Sequence, residues 1–174
     1  DEKKARIMAE YKLSEDLANQ LVRRLLGDEF ESLIANVKVD PTTVASVLVS
    51  DLRDLKRADI CVDALTEEKL VEVFKLLEAN IISKDAIKDL LIIVAKSPEN
   101  DVEQLAAEAN LTLLSEDEVM AIIHDIAVQN EDMIKERQMG AMGPLMGMSM
   151  KKLKGKADGS LVNKIVREEI QKLI

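Results

Sequence analysis

The chain has 174 residues, 47% of them apolar and 33% charged, with a net charge of −9. That length holds one domain or two small ones with their own cores, and only Tyr11, Phe30 and Phe74 supply aromatic rings for them. A single cysteine, Cys61, rules out an internal disulfide and fits a reduced, cytoplasmic setting; no apolar run approaches the ~20 residues of a membrane span, and no signal-peptide pattern is present.

With three prolines and six glycines, the composition favours an all-α protein with a core of Leu, Ile, Val, Met and Ala. The first residues, Asp1-Glu-Lys-Lys, lack an initiator Met and already read as helix, so the chain is expected to be a piece of a longer protein. Lys3–Tyr11 is the first predicted helix. Ser14 caps the second, with Leu17, Leu21 and Leu25 inward and Gly27 at its end. Phe30, Leu33, Ile34 and Val37 mark a short third helix. Pro41 opens a longer one, to about Lys56. Thr66 and Ser83 cap the next two, whose inner faces carry Leu70, Val73, Phe74 and Leu77, then Ile87, Leu90, Leu91 and Val94. Each such start places a short oxygen side chain before a helix-forming turn.

Ser97–Asn100 reads as a turn, 101–109 as a short helix and 110–114 as a connector. Ser115 and Glu118 form a capping box for a helix carrying Val119, Ile122, Ile123 and Ile126. That helix is expected to pause at Asn130 and continue to Gln138. The chain is therefore divided into a helical body, 1–112, and a tail, 113–174, the tail being the more mobile.

The stretch from Met139 to Asn163 is unlike the rest. Five of the six glycines lie between Gly140 and Gly159, and five of the eight methionines between Met139 and Met150. Gly143 is expected to cap a helix with Pro144 in its first turn. Gly143 and Gly147, four apart, share a face on which another backbone could pack closely. Met142, Met146 and Met150 make a soft stripe suited to irregular gaps. Gly155 stops the helix, and Asp158 caps a last amphipathic helix, 159–174.

Charge is uneven. Residues 1–134 hold 15 Lys and Arg against 29 Asp and Glu; residues 135–174 hold 9 against 4. Lys151, Lys152, Lys154 and Lys156, joined by Lys164 and Arg167 on the polar face of the last helix, make the one strongly positive unit of an acidic chain. A polyanionic partner would meet it there; the plainer reading is that these cations complement helix C-termini. With so few aromatics, a base-stacking platform is not expected, whereas a basic helical corner can grip the phosphates of a folded RNA.

Other candidate chemistry is thin. His124, the only histidine, has no second ligand at metal spacing and reads as a helix-surface or core-edge residue. Cys61 has no basic partner nearby and reads as a small buried or half-buried residue. Gly155-Lys156 fails as a phosphate loop: Met150 stands where its first glycine is required, and Ala157 where Ser or Thr is. The acidic clusters at 116–118 and 131–132 sit at helix starts and do not follow a calcium-loop pattern. No nucleophile–base pair is visible, so no catalytic or metal-binding residue is assigned.

The pattern Gly143-x-x-Met-Gly-x-x-Met-Lys-x-x-x-Gly-Lys-Ala-Asp-x-x-x-Val-Asn-x-Ile165 resembles the C-terminal signature of the GatB/YqeY family. Ile82–Lys88 and Leu114–Val119 also look like that family's pattern. Many members have Ala-Asn-Pro where this chain has Ala157-Asp158-Gly159, a form more like the archaeal GatE branch than the bacterial GatB branch.

The resemblance implies an all-helical body with a mobile tail, from one component of a tRNA-dependent amidotransferase that works in translation. Such ligases convert Glu-tRNA(Gln), or in some cases Asp-tRNA(Asn), to the amidated form. A glutaminase- or asparaginase-like partner subunit supplies ammonia from glutamine. ATP and Mg are expected on a catalytic domain outside this chain, and none within it. The tail would contact the outer corner of tRNA, with no DNA and no membrane as partner. The alternatives are a free-standing YqeY-like protein, a Met-rich peptide-binding module and a purely structural interaction bundle.

Overall fold

The computed structural model describes all 174 residues. It is all-α and divides into two compact units, Asp1–Leu111 and Thr112–Ile174. Each has its own apolar core.

The first unit contains α1 (Glu2–Tyr11), α2 (Glu15–Arg23), α3 (Gly27–Asn36), α4 (Pro41–Ser46), α5 (Leu52–Arg57), α6 (Glu67–Glu78), α7 (Ile87–Lys96) and α8 (Val102–Glu108). Two of the expected caps form, each reaching an orphan amide: Ser14 accepts from the Leu17 amide and Thr66 from Lys69. Two carboxylates cap as well, Asp40 accepting from the Thr42 amide and Asp101 from Gln104. Phe30 and Phe74 are fully buried, and Tyr11 meets Phe30 edge-on with ring centroids 5.2 Å apart, the favourable T-shaped geometry.

Leu25 does not face inward: it takes φ +58 and is 89% exposed. α2 ends in a Schellman cap, in which the Leu26 amide donates to the Leu21 carbonyl and the Leu25 amide to Val22. Gly27 does not end α2 but opens α3, where a Cβ would lie 2.9 Å from Lys3 Cε. Ser83 caps nothing; its Oγ is buried without a partner, and a 3₁₀ turn at Lys84–Ala86 leads into α7. Cys61 is exposed, on the short link after α5.

Pro41 to Arg57 is helical throughout but not uniformly α. Val47–Asp51 winds as a π turn, with the Leu52 amide donating to the Val47 carbonyl. The wider turn takes carbonyls out of the ordinary register, and the Arg24 guanidinium donates to one of them, Val49 O, at 2.9 Å.

The second unit contains α9 (Glu116–Gln129), α10 (Glu131–Arg137), α11 (Met142–Leu153) and α12 (Gly159–Leu173). Its core is Val119, Ile123 and Ile126 of α9, Ile134 of α10, Leu145 and Leu153 of α11, and Val162, Ile165, Val166 and Ile170 of α12. Ser115 accepts from the Glu118 amide and Asp158 from Ser160. The pause at Asn130 is real: its amide donates to the Ala127 carbonyl and its Nδ2 to Ile126 O at 2.8 Å.

The close-packing reading of Gly143, Gly147 and Gly155 is overturned. A Cβ on any of the three meets no heavy atom within 4 Å. α11 begins at Met142, capped by Ala141 rather than Gly143, and both Gly143 and Gly147 are exposed. Gly155 serves the chain path instead. Lys154 at φ −57, ψ 126, Gly155 at φ +77, and the Lys156 amide donating to the Leu153 carbonyl at 2.9 Å make a type II turn. Its third residue needs a positive φ, hence glycine.

Candidate nucleic-acid interface

The six cations expected to form an interface fall on three consecutive pieces of the second unit. Lys151 and Lys152 occupy the last turn of α11, where positive charge complements the helix dipole. Lys154 and Lys156 flank Gly155 on the type II turn. That turn is tethered: the Leu114 amide, just ahead of α9, donates to the Lys156 carbonyl at 2.8 Å. Lys164 and Arg167 are three apart on α12 and both exposed, opposite the buried stripe of Val162, Ile165 and Val166. Lys156 is half-buried; the other five are exposed.

None of the six is neutralised by a carboxylate. The ion pairs of this unit are Lys135–Glu131 at 2.8 Å, Lys172–Glu169 at 3.4 Å and His124–Glu169 at 3.0 Å. The unit as a whole holds nine Lys and Arg against ten Asp and Glu, so it carries no excess of positive charge. The carboxylates of Glu116, Asp117 and Glu118 gather at the start of α9, and those of Glu131 and Asp132 at the start of α10.

The geometry adds a feature that the chain order hides. The end of α9 and the end of α11 border a groove of about 440 Å³, lined by Ile126, Gln129, Asn130, Met148, Lys151 and Lys152. Asn130 and Met148 lie far apart in sequence, so no local motif could have flagged them together. Met142, Met146, Met148 and Met150 are all half-buried against the core, the gap-filling use expected of a flexible thioether.

His124 lies at the surface, the first of the two placements its sequence context leaves open, with its side chain 64% exposed. Its Nδ1 meets Glu169 Oε2, and the other oxygen of Glu169 meets Lys172 Nζ. Glu169 is only 5% exposed, so these partners satisfy an otherwise costly buried carboxylate and tie α9 to α12. No group of three or more His, Cys, Asp or Glu side chains is arranged to hold a metal ion. No helix is long and apolar enough to cross a membrane.

Comparison with known proteins places these features in context. Residues 28–170 match the family profile described as the GatB domain. Over its full 174 residues the chain is 57% identical to the E-type subunit of glutamyl-tRNA(Gln) amidotransferase from Methanobrevibacter smithii, covering 28% of that protein. It is 52% identical over 170 residues, 98% of the chain, to the E-type protein of Methanothermobacter thermautotrophicus, covering 27% of it. Against the E-type protein of Thermococcus sibiricus it is 46% identical over 166 residues, 95% of the chain and 26% of that protein. The chain thus spans little more than a quarter of the length of these relatives.

Proposed function

The chain belongs to the GatB domain family, and from that membership we propose that it is the tRNA-binding helical region of a Glu-tRNA(Gln) amidotransferase subunit of the GatE type. In this reading it helps to hold misacylated tRNA for ATP- and glutamine-dependent amidation in the cytoplasm. Similarity to three GatE-type proteins, each along nearly the whole chain, supports the GatE branch over the GatB branch. ATP and Mg chemistry, and the partner that releases ammonia, are assigned to residues outside these 174.

The observation that carries the RNA contact is the run of six unpaired cations from Lys151 to Arg167, in a chain of net charge −9. Phosphate contacts release condensed counterions, and this term supplies most non-specific affinity. A net negative body disfavours RNA elsewhere, so binding is local and oriented.

The test is binding of unmodified tRNA(Gln) transcript across a salt series, with Lys151, Lys152, Lys154 and Lys156 changed together to Ala. If each lysine meets a phosphate, the wild-type slope of log K against log salt is roughly −3 to −4 from these four alone. The quadruple variant should bind more weakly with a flatter slope. The loss should be alike for cognate and non-cognate tRNA, since phosphate contacts carry no base identity. Unchanged tRNA binding alongside a lowered melting temperature would reduce these lysines to helix-terminus charges.

A further inference from the structure

The groove between the ends of α9 and α11 has a chemistry that phosphate contact alone does not require. Its volume of about 440 Å³ falls in the range of small-molecule sites, roughly 300–1,000 Å³. Ile126 and Met148 supply apolar surface, Lys151 and Lys152 two cations, and Gln129 and Asn130 two side-chain amides. The amides are already oriented. Gln129 Nε2 donates to Asp125 Oδ2 at 3.2 Å, and Asn130 Nδ2 donates to the Ile126 carbonyl at 2.8 Å. Each therefore spends one of its two N–H groups within the protein and keeps its other N–H and its carbonyl oxygen for a ligand.

We infer that this groove takes a single unpaired nucleotide of the RNA, an inference that rests on the RNA-binding reading above. The base lies against Ile126 and Met148, its N–H groups donate to the Gln129 and Asn130 side-chain carbonyls, and its phosphate meets Lys151 and Lys152. Unpaired loop bases are what proteins can read in RNA, because the A-form major groove is too narrow to enter. Extruded bases are held between apolar as well as aromatic side chains, so the lack of aromatic rings in this unit is no obstacle. The charge arrangement favours a nucleotide over an apolar peptide: both lysines are free of carboxylate partners and stand beside the two side-chain amides of the groove. Anions near helix C-termini are disfavoured by the dipole, which makes the two lysines necessary for a phosphate there.

The experiment compares an RNA stem-loop with a blunt RNA duplex of the same number of phosphates, both titrated into the full chain. The wild type should favour the stem-loop by about tenfold. Gln129→Ala, at an exposed position, and Gln129→Ala with Met148→Ala should remove most of that preference. Neither should change duplex affinity or the salt slope, since no charge is altered. Lys151→Ala with Lys152→Ala should weaken both RNAs and reduce the slope by roughly 2. Methionine methyl NMR on the wild type gives a direct reading that does not depend on the alanine variants folding. The Met148 methyl signal, assigned through Met148→Leu, should shift with the stem-loop and stay in place with the duplex.

Equal wild-type affinity for the two RNAs, or a Met148 methyl unmoved at saturation, overturns the nucleotide pocket while leaving the phosphate contacts standing. If neither RNA binds, both readings fall. A Met148 shift produced by an apolar peptide and not by the stem-loop would assign the groove to a protein partner instead.

Discussion

Leu25 is a leucine in a position built for glycine. It sits at φ +58 with 89% of its surface exposed. The left-handed region costs an L-residue with a full side chain about 1–2 kcal/mol, and burial returns almost nothing here. The same helix ending recurs with gentler residues. Asp59, Asn80 and Asn110 take φ of 60, 58 and 61, and each is followed by an apolar residue, Ile60, Ile81 or Leu111, whose amide closes the longer Schellman bond. Asn and Asp tolerate this conformation; leucine does not. Leu25→Gly should therefore stabilise the chain by about 1 kcal/mol, which for a protein of this size is a melting shift of roughly 2–4 °C upward. A melting temperature that fell would mean the exposed side chain makes a contact worth more than its backbone strain. Gly155 shows the converse, a glycine used where a type II turn demands it.

At the scale of elements, the legible features were those in which a side chain answers a local backbone need. Ser14, Thr66, Ser115 and Asp158 all cap as their positions indicate, because capping is settled within three residues. Ser83 looked the same and does not cap, since a 3₁₀ turn carries the chain past it. The π turn at Val47–Asp51 left no trace in the apolar pattern, which fits a plain helix equally well; one of its carbonyls, Val49 O, accepts from Arg24, a sequence-distant donor. The run of cations from Lys151 to Arg167 is visible in the sequence itself, whereas the groove beside Lys151 and Lys152 requires α9 and α11 to meet. Gly143 and Gly147 were misread because small residues four apart mark a close contact only when a partner element lies opposite, and here none does. The π turn also carries a titration. Burial raises the Asp51 carboxyl above its ordinary 3.8, with Lys88 opposing and Asp54 reinforcing. An acid whose pKa is higher folded than unfolded holds its proton more tightly in the folded chain. The folded state is thus penalised above the folded pKa, and relieved as pH falls through it to the unfolded value. Asp51→Asn should then melt higher than wild type at pH 7, with the gap shrinking as pH falls through the raised pKa and closed by about pH 4. A gap that stays constant across that range would show that the carboxylate charge is not the cause.

At the scale of the molecule, two cores divide the work unequally. All three aromatic residues, Tyr11, Phe30 and Phe74, lie in the first unit, and the second is built from aliphatic residues and methionine alone. At roughly 0.05–0.15 kcal/mol per residue, the stability expected of Thr112–Ile174 is only about 3–9 kcal/mol. Ile123 is 2% exposed at the centre of that core, and truncating a buried isoleucine to alanine costs about 2–5 kcal/mol. Ile123→Ala should therefore consume much or all of the second unit's stability. The first unit has its own apolar cluster, from Ile7 to Ala106, and loses no contact within it. Far-ultraviolet circular dichroism reports the helices of both units, whereas tyrosine emission reports only Tyr11, set against Phe30 in the first. In Ile123→Ala the helical signal should melt in two steps, the earlier one silent in tyrosine emission, and RNA binding should be lost across that earlier step. If the tyrosine and helical signals instead move together in one shifted transition, the two cores unfold as a single cooperative unit. The basic corner would then depend on the stability of the whole chain and not on that of its own small core.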